Sequence, residues 1–102
     1  MAAQTIVVTA AAPTPAAITL AADASCLHVS GNWGSGSRAI VELYASDDGT
    51  AYVPLAVGRD AGQPGLRTGG VYSLTLKAGW RLKAVISNPN DCAGASVRVA
   101  VE

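Results

Sequence analysis

Apolar and polar residues alternate with a period of two along most of this chain, the period of a β-strand with one face buried. From Arg38 to Val57 the pattern predicts a hairpin. Its first arm sets Val41, Leu43 and Ala45 on one side and Glu42, Tyr44 and Ser46 on the other. Ser46-Asp47-Asp48-Gly49-Thr50 interrupts the run. Asp side chains accept bonds from nearby backbone and Gly takes positive φ freely, so this is a hairpin turn. The return arm sets Ala51, Val53, Leu55 and Val57 opposite Tyr52 and Pro54. Pro54 has no N–H for a ladder, which predicts a sheet edge or a bulge there.

The same alternation predicts strands at Thr5 to Thr9, Ala17 to Leu20 and Cys26 to Ser30, the last with Leu27 and Val29 facing away from His28. After the hairpin come Val71 to Leu76, with Tyr72, Leu74 and Leu76 inward, and Trp80 to Ser87, with Trp80, Leu82, Ala84 and Ile86 inward. Ser96 to Val101 closes the chain with Val97, Val99 and Val101 inward. Prolines at 13 and 15 break the Ala-rich start, and no amphipathic helix is present. About eight short strands at this spacing predict an all-β fold, an antiparallel two-sheet β-sandwich of jelly-roll or Ig-like topology. The expected organisation is an N-terminal arm and first strand over residues 1–15 and one sandwich domain over residues 16–102. The segment Gly58 to Gly70, with Arg59, Asp60 and Arg67, is the longest irregular stretch inside the chain and is expected to meet a partner or to lack order alone.

Composition changes this picture in two ways. Charged residues make up 14% and the formal net charge is zero. That excludes the basic footprint nucleic acid requires. It also leaves little electrostatic protection against self-association, so either much of the surface is covered in the working state or the chain is one of the many small neutral β-proteins. No apolar run approaches the length of a membrane span. Arg38 is the first basic residue, so the start lacks the charged region of a signal peptide; the expectation is a small product made in a cytoplasm and not exported. In that compartment Cys26 and Cys92 are expected as thiols, with a bridge within or between chains as the alternatives.

Candidate chemistry is sparse. His28 is the only histidine, and no nucleophile or partner set accompanies it. One His and two distant Cys lack zinc-site spacing. Asp47, Asp48 and Asp60, or Asn88, Asn90 and Asp91, supply oxygen atoms without a calcium-loop spacing, and these residue types are what turns use. Gly31-Asn-Trp-Gly-Ser-Gly-Ser37 has phosphate-loop glycines, but a strand follows it where an anion-binding helix is required. The expectation is therefore no catalytic residue, no metal and no cofactor. Trp33, in that loop, and the Tyr44/Tyr52 pair across the hairpin are the candidates for a contact surface or a sugar-stacking platform.

The pieces G-N-W-G-S-G-S, V-E-L-Y-A-S-D-D-G-T-A-Y-V-P-L, G-V-Y-S-L-T-L-K-A-G-W-R-L-K-A-V-I-S and S-V-R-V-A-V resemble small structural proteins of tailed-bacteriophage virions. The tip S-D-D-G-T-A-Y is similar to the S-x-D-G-x-x-[WY] hairpin of such proteins. The resemblance spans about two-thirds of the chain, from Gly31 onward, at moderate specificity. It implies a capsid decoration (cement) protein: a non-enzymatic β-sandwich dimer or trimer on the virion surface, with the major capsid protein and itself as partners and neither nucleic acid nor membrane. A carbohydrate- or receptor-binding module of a tail or fibre is the alternative. The expected interface residues are Ile6, Val7 and Val8, as a strap that adds a strand to a neighbour, with Trp33, Tyr44, Tyr52, Pro54, Arg59 and Arg67; the alternative uses Trp33 and the Tyr44/Tyr52 pair.

Overall fold

A computed structural model describes residues 4–55, 66 and 69–102. Eight strands carry the architecture: β1 (Gln4–Thr9), β2 (Ile18–Thr19), β3 (Ala24–Asn32), β4 (Val41–Ser46), β5 (Val53–Pro54), β6 (Gly70–Leu76), β7 (Arg81–Ile86) and β8 (Ser96–Val101). Two short 3₁₀ turns, Ser35–Ser37 and Pro89–Asp91, are the sole helical pieces among the described residues. None of this is long and apolar enough to cross a membrane as a helix.

The pairing is nested. β1 pairs with β8, β2 with β7, β3 with β6 and β4 with β5, all antiparallel. The chain thus behaves as one long hairpin of four strand pairs, wound so that successive pairs fall alternately in two sheets. The β3·β8 and β4·β7 ladders then complete the sheets. The result is sheet A, in the order β1-β8-β3-β6, and sheet B, in the order β2-β7-β4-β5. This is the strand order of a jelly roll, one of the two topologies expected.

Alternation sets what lies between the sheets. Ile6, Val8, Leu27, Val29, Leu76, Val97, Val99 and Val101 from sheet A face Val41, Leu43, Ala45, Leu82, Ala84 and Ile86 from sheet B, and all are buried. The absence of Phe and the many Val and Ala side chains suit this thin layer. Tyr72, Leu74 and Trp80, expected inward, are only partly buried. Tyr72 and Leu74 lie on β6, an edge strand, and Trp80 lies in the turn that leads to β7.

The two ends of the sandwich differ. At the β1/β2 side, Gln4 bridges the sheets: its Nε2 donates to the Thr19 carbonyl at 2.8 Å and its Oε1 accepts from the Ala21 amide at 2.8 Å. The segment after β1 closes that side further, as Ala10 N–H donates to Ala95 and Ile86 N–H to Pro13. Over residues 4–15 the expected arm is therefore built into the sandwich. On β4, the outer edge pairs first with β5 and then with Leu66, which exchanges two backbone bonds with Val41 and is 1% exposed. Leu66 thus fills the core from within the Gly58–Gly70 stretch. Asn88 acts as a backbone substitute at the entrance to β4, donating from Nδ2 to Arg38 O at 2.8 Å and accepting from Ile40 N–H at 3.0 Å.

Candidate functional site

The hairpin tip is held by side chains. Ser46 Oγ, in a residue 3% exposed, donates to Asp48 Oδ1 at 2.9 Å and accepts from the Gly49 amide at 2.8 Å. Asp48 Oδ1 also accepts from Thr50 N–H at 2.8 Å and Ala51 N–H at 3.0 Å. Gly49 sits at φ +79°, where a Cβ would meet the Arg81 side chain. The donors hold the Asp48 carboxyl below its ordinary value of 3.8, first the Thr50 and Ala51 amides and then the Ser46 hydroxyl. A depressed folded value means the stabilisation is complete above the unfolded value and is lost as pH falls through the lower folded one. In thermal melts taken from about pH 6 down to about pH 2, wild type therefore loses more stability than Asp48→Asn. Parallel curves for the two proteins would show that ionisation of Asp48 contributes nothing to stability.

The outer face of sheet B carries an aromatic–cation cluster. Tyr44 lies opposite Pro54 on β5 and Lys83 on β7. Lys83 Nζ stands 5.3 Å from the Tyr44 ring centroid and 4.4 Å from that of Tyr52. Tyr44 Oη donates to Glu42 Oε1 at 2.9 Å, and this bond, with some burial and the Glu42 charge, raises the tyrosine above its ordinary range. The sheet thus brings together the Tyr44/Tyr52 pair expected from the hairpin, and Lys83 lies over both rings.

The outer face of sheet A is different in kind. One cross-strand row is Thr5, Ala100, His28 and Val71, and the next is Val7, Arg98 and Ser30. Arg98 is the one full charge in these two rows. Val7 is 51% and Val71 68% exposed. His28 is exposed in this sheet, among Ala100 and Val71, with no nucleophile beside it in its row.

A cleft of about 320 Å³ opens between the sheets at the β5/β6 side, near the hairpin tip. Ala45, Ala51, Val53, Leu55 and Leu76 form its apolar wall, and Ser46, Asp47, Thr75 and Trp80 its remaining lining. Val53, on the inward side of the return arm, is 60% exposed because the sandwich stands open there.

Several expected contact residues lie elsewhere than the sequence suggests. Ile6 and Val8 are core residues of β1, so only Val7 of the expected strap presents its side chain to solvent. Trp33 is half-buried and packs on the core, its carbonyl accepting from Ala39 N–H at 3.1 Å, in place of standing free in a loop. Pro54 is exposed on the two-residue edge strand β5. Arg59 and Arg67 lie outside the described residues. Both cysteines are free thiols; burial and the neighbouring Asp91 charge push the Cys92 thiol up, and its Sγ donates to Asn88 O at 3.3 Å. Among the described residues no three metal-donor side chains converge. Lys83, and the joining of Asp47 with Trp80, escape a sequence reading because each depends on pairing between distant strands. No protein-family model, characterised protein or solved structure matches the chain.

Proposed function

We propose that the chain is a non-enzymatic structural protein of a tailed-phage virion, binding and bracing the capsid surface as an oligomeric decoration (cement) protein. The observation that carries this reading is the outer face of sheet A. It is a surface of Thr, Ser, Ala and Val around His28, with exposed Val7 and Val71 and, in its two central rows, one full charge, Arg98. Such a face gains from being covered, by a second copy or by the major capsid protein, and has little charge to desolvate when it is. The sequence resemblance from Gly31 onward supplies the kind of partner. The jelly roll is compatible, since viral coat domains use it among many others, but a fold alone does not set a role.

The test mixes the purified protein with expanded phage capsids and reads co-sedimentation and capsid melting. Wild type is expected to bind and to raise the melting temperature of the capsid. Val71→Glu, at an exposed position, is expected to weaken binding about tenfold or more, because it would bury a carboxylate in the contact, and Val7→Glu to weaken it less, because Arg98 stands opposite on β8. Absence of wild-type binding, or glutamate variants that bind as wild type does, would remove this reading.

A further inference from the structure

We propose that the cleft between the β4–β5 hairpin and the β6–β7 turn binds one pyranose ring of a saccharide. The argument starts from which polar groups the fold leaves unused. Of the two adjacent aspartates at the tip, Asp48 accepts the Ser46 hydroxyl and the Thr50 and Ala51 amides. Asp47 lines the cleft, and neither its carboxylate, the Thr75 hydroxyl nor the Trp80 indole N–H has a hydrogen-bond partner among the described residues. Asp47, Thr75 and Trp80 thus line one cavity together with Val53, Leu55 and Leu76. Its volume, about 320 Å³, falls at the small end of ligand sites, which run to about 1,000 Å³.

A pyranose matches both halves of this lining. Its C–H face packs on an indole and on aliphatic side chains, while its hydroxyls donate to a carboxylate and exchange bonds with a threonine hydroxyl. A purely apolar occupant would strip Asp47 of water and give no donor in return. Trp80 is the aromatic residue in the lining of this cleft, which includes none of Trp33, Tyr44 and Tyr52. Leu55, whose amide donates to Leu43 O, bounds the cleft on the β5 side, while Leu66 pairs with Val41 and is not part of the lining. This assignment does not depend on the capsid role: the sugar site and the outer face of sheet A lie on different surfaces and are read by different assays.

The experiment titrates the isotope-labelled protein with methyl α-D-glucopyranoside, methyl β-D-galactopyranoside, methyl α-D-mannopyranoside and N-acetyl-D-glucosamine, following amide and indole resonances. At least one sugar is expected to shift Asp47, Thr75 and the Trp80 indole saturably, with a Kd on the order of 1 mM. Asp47→Asn, which removes no folding contact, is expected to weaken that binding about tenfold, and Trp80→Ala to abolish it, while Trp33→Phe leaves it unchanged. Should Trp80→Ala fail to fold, Asp47→Asn decides alone. The assignment is overturned if no sugar moves these resonances at about 20 mM, or if Asp47→Asn binds as wild type does. It is equally overturned if butylguanidinium shifts the cleft and no sugar does, since the cleft then takes a basic side chain of a protein.

Discussion

Leu82→Ala is expected to lower the unfolding free energy by about 2–5 kcal/mol, a large part of the roughly 5–15 kcal/mol a domain of this size has available. Leu82 has no exposed surface and sits near the start of β7, opposite Ile18 on one side and Ala45 on the other. The expected cost is at the upper part of that range because of what surrounds it. Ala45 and Ala84 are its near neighbours on the same face, and they carry no torsion by which to swing into a vacated space. The sheets themselves are fixed by their ladders, so the cavity stays largely open, and cavity volume is what separates mild from severe truncations. Urea unfolding followed by Trp fluorescence should show the midpoint displaced with the slope unchanged. A loss under about 1 kcal/mol would mean that the two sheets close over the gap, and that the core is softer than its packing suggests.

The elements of this core were readable in the chain because each strand alternates. Leu27-His28-Val29 and Val97-Arg98-Val99 assign their faces without any knowledge of their partners. What alternation does not carry is pairing. The β1·β8 ladder joins the two extremes of the chain, and nothing local to Ile6 or Val99 specifies the other. Hence the sandwich was legible and the choice of jelly roll over Ig-like topology was not. Ile6-Val7-Val8 does not show its faces locally: three β-branched residues in a row hide the period, and Thr5 and Thr9 flank them on the outer side. Trp33 misleads because glycine and serine flank it, a loop composition that masks a pinned one. Asn32 Oδ1 accepts from Gly34 N–H at 2.8 Å and Ala39 N–H donates to Trp33 O, which folds the indole onto the core. The cleft was legible only in pieces. Trp80 reads as a core residue and Asp47 as a turn residue, and their meeting follows from the β4·β7 register and the edge positions of β5 and β6.

Gly31→Ala is expected to be the most damaging single-methyl addition to the described fold. Gly31 lies on β3 opposite Val97 of β8, at φ +131°. A Cβ built there would stand 2.3 Å from the Ser96 carbonyl oxygen and 3.1 Å from the Val97 Cα. Both neighbours are backbone of a paired strand, so no side chain can turn aside to make room. Relief requires either rotating Gly31 out of this backbone conformation or parting β3 from β8 at Asn32 and Gly31. The first costs on the order of 1–3 kcal/mol for a residue with a Cβ, and the second loses ladder bonds at the same end. Together they predict a loss on the order of 2–4 kcal/mol, read as a lowered urea midpoint, with faster amide exchange concentrated on Ser96, Val97 and Asn32. Uniformly faster exchange across both sheets would instead indicate a global loss of stability with no local parting of β3 from β8. A near-neutral result would show that the β3·β8 ladder ends before Gly31 in solution. The same geometry accounts for the first glycine of the Gly-x-x-Gly-x-Gly series: it stands where two strands approach too closely for a side chain, a structural requirement that needs no anion to explain it.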